Sequence, residues 1–102
     1  MRPKANPSPR GKKKRHYVIE RHFCQVGEYL RQKRQESGLT QKNVADALGY
    51  SSAQFISNFE RGIAIPPTDK IRTLIRLTKL DLHELADLIF GTKRKVFLEE
   101  LT

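Results

Sequence analysis

Cationic side chains crowd the start of the chain, and their spacing suits contact with a polyanion. Residues 1–15 hold seven lysines and arginines and no acid, and four of these cations are consecutive, namely Lys12, Lys13, Lys14 and Arg15. The formal net charge is +9, so the other residues carry only +2 once those seven cations are set aside. Such a run can neutralise the phosphates of a nucleic acid. The alternative is a solvated tail that aids solubility.

The histidines, the cysteine and the acidic residues of the sequence do not indicate a metal site or a catalytic site. The candidate ligands His16, His22, Cys24 and His83 match no common zinc spacing. The acids and histidines form no recognisable catalytic arrangement, so we expect no metal, no cofactor and no enzyme. A single cysteine excludes an internal disulfide and fits a reducing compartment.

Membrane association is not expected either. No stretch approaches the roughly 18 apolar residues that a membrane-spanning helix needs. The basic N-terminus is not followed by an apolar region, so a secretory signal is not expected.

The elements that position the remaining polar residues are predicted to be short helices. Apolar residues recur at helical spacing in five segments, and no useful β-alternation occurs, so the predicted fold class is all-α. Thr40 is placed to cap the second helix and Ser51 and Ser52 the third, which would run over 52–61. A fourth helix should begin at Pro67 or Thr68. In the fifth, Asp81 and Glu84 resemble a capping box, and Gly91 and Thr92 are expected to interrupt the helix. The predicted helix ends fall at Gly38, Gly49 and Gly62.

Residues 38–62 therefore predict two short helices joined by a tight turn. In such a pair one helix can brace against a DNA backbone while the next lies in the major groove. A further set of residues stands at fixed offsets through this region: Arg34, Gly38-Leu39-Thr40-Gln41, Val44-Ala45, Leu48-Gly49, Ile56-Ser57, Glu60-Arg61-Gly62 and Pro67. They make residues 26–90 resemble the Cro and lambda-repressor type of helix-turn-helix domain, also called the XRE family. One residue more than the common pattern lies between Gly49 and Ile56.

The resemblance implies a five-helix, lambda-repressor-like helix-turn-helix domain. We expect a disordered basic arm at 1–16, the helix-turn-helix domain at 17–90, and an amphipathic C-terminal helical tail at 91–102.

Contacts with the DNA backbone are expected from polar residues around the first of the two paired helices and from the arm. The resemblance implies that Gln41 contacts phosphate, the alternative being a simple first-turn helix former. The other phosphate candidates are Lys42, Ser51, Ser52, Arg61, Lys12, Lys13, Lys14 and Arg15. Arg61 could instead be a solvated surface arginine.

Contacts with bases are expected from the third helix, because Ile56 and Phe59 should face the core. The outward candidates are Ala53, Gln54, Phe55 and Asn58. Gln54 can pair with adenine N6 and N7, and Ala53 or an exposed Phe55 can meet a thymine methyl. Phe55 could equally belong to the core, and Asn58 could contact either a base or a phosphate.

Two further sets of residues are expected to hold the structure together. The resemblance implies an ion pair between Arg34 and Glu60 that ties the first helix to the third. The C-terminal segment 81–102 is the expected dimer contact, since terminal segments are ordered mainly when something docks them. Its residues would be Leu85, Ile89, Val96, Phe97 and Leu101. The alternative is that the first three pack on the domain's own core.

These patterns predict a sequence-specific, non-enzymatic transcriptional regulator, a repressor that binds double-stranded DNA as a homodimer on a palindromic operator. Its expected location is the cytoplasm, with the nucleoid. One alternative is the antitoxin of a toxin–antitoxin pair, which would bind a protein partner and also regulate its own operon. Another is a less specific nucleic-acid-binding accessory protein that uses only the arm.

Overall fold

The computed structural model describes residues 22–102, and this part of the chain is built from five α-helices without a strand. The helices are α1 (Cys24–Glu36), α2 (Gln41–Leu48), α3 (Gln54–Glu60), α4 (Thr68–Thr78) and α5 (Leu82–Leu101). The predicted all-α class and helix number are confirmed. The predicted basic arm at 1–16 lies outside the described residues.

The ends of α2 follow from residues that the sequence places at its two termini. Thr40 Oγ1 accepts from the backbone N–H of Asn43 at 3.0 Å, and Asn43 Oδ1 accepts from the backbone N–H of Thr40 at 3.0 Å. This reciprocal cap satisfies two backbone donors that a helix start leaves without partners. At the other end Gly49 has φ of +81°, a conformation that glycine adopts without a Cβ clash. The turn toward α3 begins there.

One apolar core joins all five helices. Its three largest fully buried side chains are Val26 of α1, Val44 of α2 and Leu85 of α5. Within residues 22–102 the buried apolar side chains of this core are Val26, Leu30, Val44, Ala45, Leu48, Ile56, Phe59, Leu74, Leu80, Leu85 and Ile89. Ile56 and Phe59, the residues predicted to face inward from α3, are among them. Because Ile56 and Phe59 of α3 are buried, the opposite face of this helix points outward.

Helix α1 supports α3 through a close backbone approach. Gly27 is buried, and a Cβ at this position would lie only 2.6 Å from the carbonyl carbon of Glu60. Real Cβ atoms do not approach a backbone atom so closely. The end of α3 therefore rests directly on the backbone of α1.

Helix α5 is longer than the sequence pattern indicates. It continues through Gly91 and Thr92 to Leu101, so the predicted interruption at these two residues is wrong. A glycine inside a helix costs only about 1 kcal/mol relative to alanine, a cost that the helix-forming residues on either side of it can outweigh. No helix in the described residues combines the length and apolar character needed to cross a membrane.

The start of α5 is capped and clamped to α1. Asp81 Oδ1 accepts from the backbone N–H groups of His83 and Glu84, at 2.8 and 3.0 Å. The hydrogen bond from Glu84 is the main reason why the pKa of Asp81 is lowered. The Glu84 carboxylate does not complete the predicted capping box, because it accepts instead from the hydroxyl of Tyr29 at 2.9 Å.

Candidate nucleic-acid interface

The turn between α2 and α3 is held by Tyr50 and Lys70. The backbone N–H of Tyr50 donates to the Ala45 carbonyl at 2.9 Å. The Tyr50 ring packs against the Phe59 ring, with the two centroids 6.1 Å apart. Lys70 Nζ donates to the Leu48 carbonyl at 2.8 Å and lies 5.3 Å from the centroid of the Tyr50 ring. A cation above an aromatic ring is attracted by the negative face of the ring. These contacts fix the angle at which α3 leaves α2.

The outward face of α3 and the residue that follows it carry a chain of hydrogen-bonded polar side chains, which we call the α3 stripe: Gln54, Asn58 and Arg61. Asn58 Oδ1 accepts from Gln54 Nε2 at 3.0 Å and from an Arg61 guanidinium nitrogen, also at 3.0 Å. The three residues are spaced at i, i+4 and i+7, so they share one helix face. Their mutual hydrogen bonds restrain the rotamers of side chains that would otherwise be mobile, which lowers the entropy cost of binding.

Phe55 lies beside the α3 stripe and is exposed rather than part of the core. Its side chain retains 44% of its exposure, and its ring stacks on Tyr50 with centroids 4.5 Å apart and planes 10° apart. The alternative of a core position for Phe55 is therefore wrong. Ala53, the remaining base-contact candidate, is half-buried just before α3.

Gln41 is the first residue of α2, and its side chain points to a partner within the protein. Gln41 Nε2 donates to Glu60 Oε1 at 3.0 Å. The next residue, Lys42, is exposed, and its ammonium forms an ion pair with Asp46 at 2.9 Å. Contact of Gln41 and Lys42 with phosphate stays a prediction.

The serines of the turn are exposed, and neither is the residue that directly precedes α3. Ser52 Oγ accepts from the backbone N–H of Gln54 at 3.0 Å within the turn. Helix α3 starts at Gln54, two residues after the predicted start, and its N-cap is Ala53 without a side-chain cap, so the predicted capping by Ser51 or Ser52 is wrong. Ser51 is exposed and lies in the same turn. The four basic candidates of the arm, Lys12, Lys13, Lys14 and Arg15, lie outside the described residues.

Arg34 and Glu60 are brought together in a buried, two-pronged ion pair between α1 and α3. Arg34 Nε and one terminal nitrogen donate to the two Glu60 carboxylate oxygens at 2.6 and 3.1 Å. The other terminal nitrogen donates to the Leu39 carbonyl at 2.8 Å. The two side chains are only 13% and 5% exposed. Glu60 thus holds α1, α2 and α3 together, since Gln41 donates to the same carboxylate.

Two features of this surface were missed by sequence reasoning. The hydrogen bonds of the α3 stripe could have been found from the spacing of Gln54, Asn58 and Arg61. The stack of Tyr50 on Phe55 had a weaker signal, namely two aromatic residues on either side of a turn that carries an extra residue.

The residues predicted to form a dimer contact do not share one surface. Leu85 and Ile89 are 1% and 8% exposed because they pack in the core of this same copy, so assigning them to a dimer contact is wrong. Val96 is half-buried and lines a cavity that also touches Gln25 of α1. Phe97 and Leu101 are 61% and 70% exposed.

An exposed apolar stripe does exist on α5, and two of its four members, Phe97 and Leu101, are among the residues predicted. It consists of Phe90, Phe97, Leu98 and Leu101, which we call the α5 stripe. Within residues 22–102, no group of three or more histidine, cysteine, aspartate or glutamate side chains is arranged so that it could hold a metal ion.

Comparison with known families agrees with this geometry. The family model described as a helix-turn-helix domain matches residues 25–88, which is more than half of the chain. The chain belongs to this helix-turn-helix domain family, which is consistent with its resemblance to the Cro and lambda-repressor type. No curated protein and no solved structure matches the chain.

Proposed function

We propose that this protein is a sequence-specific transcriptional regulator, a repressor that binds double-stranded DNA and catalyses no reaction. The observation that carries the proposal is the outward arc of α3, where Gln54, Phe55 and Asn58 lie side by side while Ile56 and Phe59 are buried behind them. The second helix of such a pair fits the major groove of B-DNA. The proposed place of action is the nucleoid in the cytoplasm.

Each side chain of the arc has a matching partner on a base edge. The Gln54 amide can donate to N7 and accept from the N6 amino group of adenine with suitable rotation. Asn58 has the same groups on a shorter stem, and Ala53 offers a methyl group. Because hydrogen bonds already restrain Gln54 and Asn58, they are arranged before DNA arrives.

Backbone contacts are proposed for the polar groups that surround this arc. Gln41 begins α2, where unsatisfied N–H groups and the helix dipole favour an anion. The proposed phosphate contacts are Gln41, Lys42, Ser51, Ser52, Arg61, Lys12, Lys13, Lys14 and Arg15. Such contacts fix the docking register but carry no direct sequence information.

A second copy of the chain is proposed to pack on the α5 stripe. Phe90, Phe97 and Leu101 are spaced seven and four residues apart, so they share one face of α5, and all three are more than 60% exposed. A two-fold dimer would place two recognition helices about 34 Å apart on a palindromic site.

The same α5 stripe favours one alternative function. An exposed apolar helix face can also hold a different small protein, as an antitoxin holds its toxin while repressing its own operon. Sedimentation of the purified chain distinguishes the two: a dimer supports self-association, whereas a monomer that co-purifies with a second small protein supports the alternative.

Selection of bound duplexes from a random DNA pool tests the proposal. The parent chain should enrich a palindrome with half-sites about one helical turn apart. Gln54→Ala should relax one position in each half-site, with a loss of discrimination of about 1–3 kcal/mol. The matched control is Gln35→Ala, which removes an exposed glutamine of α1 and should enrich the parent's sequence. Failure of the parent to enrich any sequence would contradict the proposal and favour an accessory protein that binds through the arm.

A further inference from the structure

An exposed aromatic side chain stands beside the polar α3 stripe. On α3, Gln54, Phe55 and Asn58 occupy an arc of roughly 100°, given about 100° of rotation per residue. Phe55 ends this arc on the side where the buried face begins, next to Phe59. Phe55 is 44% exposed, so part of its ring reaches solvent at the edge of the arc that carries Gln54 and Asn58.

Stacking on Tyr50 fixes the orientation of the Phe55 ring. Tyr50 covers one of its faces in a nearly parallel stack, so the exposed part of Phe55 is the opposite face and the edge. Tyr50 in turn contacts Phe59 and lies under the Lys70 ammonium, which also holds the end of α2. The chain thus holds an apolar ring in a defined position at its recognition surface.

The chemistry of the major groove supplies one apolar partner for such a ring. The groups that base edges present there are mainly hydrogen-bond donors and acceptors, and the one apolar group that projects among them is the 5-methyl group of thymine. A phenyl ring satisfies no donor or acceptor, so contact with a polar base edge would remove water from that edge without replacing its hydrogen bonds. Contact with a methyl group removes apolar surface from water on both sides.

We propose that Phe55 is a specificity-determining residue that recognises the 5-methyl group of a pyrimidine in the operator. This inference rests on the proposed DNA-binding function and adds the chemical feature that is read. It has a regulatory consequence: where cytosine replaces that thymine, methylation of the cytosine at carbon 5 restores the contact. Binding at such a site then depends on the methylation state of the DNA.

The test is a scan of the selected duplex in which each thymine is replaced in turn by deoxyuridine. Uracil keeps the pairing and the hydrogen-bonding groups of thymine and lacks only the methyl group. With the unmodified full chain, one position in each half-site should lose about fourfold in affinity, the effect of one buried methyl-sized group. The other thymines should change binding little.

Variants then assign the methyl effect to Phe55. In Phe55→Ala the thymine and deoxyuridine duplexes should bind equally, while the matched variant Gln54→Ala should keep the fourfold preference for thymine. With the unmodified chain, a duplex carrying 5-methylcytosine at the sensitive position should bind more tightly than the cytosine duplex. Thermal melts establish that both variants are folded.

The outcomes separate this inference from the proposed function. Specific binding of the selected duplex with no thymine sensitive to deoxyuridine would overturn the inference and leave the proposed function standing. A sensitivity that persists unchanged in folded Phe55→Ala would also overturn it. If the chain enriches no duplex at all, the proposed function itself has failed. The scan uses the unmodified protein, so a result with no sensitive thymine overturns the inference even if Phe55→Ala does not fold.

Discussion

Glu60 is the residue that fixes the position of the proposed recognition surface relative to the rest of the domain. Its carboxylate accepts from Arg34 on α1 and from Gln41 on α2, while Glu60 itself ends α3. The side chain is 5% exposed, so these donors replace the water that the carboxylate gave up. One side chain thus connects all three helices of the proposed interface.

Glu60→Ala is expected to destabilise the fold by about 3–5 kcal/mol, because it leaves the Arg34 charge largely buried without its partner. The measurement is thermal or denaturant unfolding. Gln54→Ala serves as the matched control, since Gln54 is exposed, and it should unfold like the parent. If Glu60→Ala also unfolds like the parent, the assignment of a structural role to Glu60 is wrong.

Individual residues were predictable from the sequence where a fixed offset determines a contact. The Arg34–Glu60 pairing followed from the family resemblance and is present in the structure. The side-chain direction of Gln41 did not follow, since an offset along the chain does not determine a rotamer. Phe55 stayed undecided because it lies at the boundary between the two faces of a short helix.

Two helices contain an internal glycine, and the surroundings give these glycines opposite roles. Gly27 of α1 faces the backbone at the end of α3, and any Cβ there would collide with Glu60. Gly91 of α5 is exposed, and a Cβ there would have nothing within 4 Å. The first glycine permits close helix packing, whereas the second only weakens the helix that contains it.

Gly27→Ala is expected to destabilise the fold by about 1–3 kcal/mol, because backbone must shift to admit the methyl group. Gly91→Ala is the matched control, and it should stabilise α5 by about 0.5–1 kcal/mol through helix propensity. Denaturant unfolding of both variants measures the difference. Equal effects would contradict the close contact of α1 with α3.

The ends of elements were more predictable than their lengths. Thr40 and Asp81 act as caps because short polar side chains at helix starts bind backbone N–H groups, a local effect that a sequence displays. The continuity of α5 through Gly91 was mispredicted. A single glycine costs a helix only about 1 kcal/mol, so its presence alone did not justify a predicted break.

The charge of the whole molecule is divided between the N-terminal residues and the rest. Residues 1–15 contribute seven of the +9 charges, so the remainder has little net attraction for a polyanion. Affinity and specificity should therefore depend on different parts of the chain. The arm would contribute to affinity on any DNA, and α3 would determine the sequence.

Deletion of residues 1–15 is expected to weaken binding to selected and scrambled duplexes alike. The slope of log K against log salt concentration should become shallower by about 0.9 for each phosphate that the arm no longer neutralises. Titrations over a range of salt concentrations measure this slope. An unchanged slope would show that the arm contacts no phosphate, while the preference for the selected duplex should survive the deletion.

The most direct measurement for the central claim is the ratio of dissociation constants for the selected duplex and a scrambled duplex of equal composition. It is made with the full chain at physiological salt. Recognition by α3 predicts at least about a thousandfold preference for the selected duplex, because specific sites exceed non-specific DNA by that margin or more. A ratio near one would contradict sequence-specific recognition and leave only binding by charge.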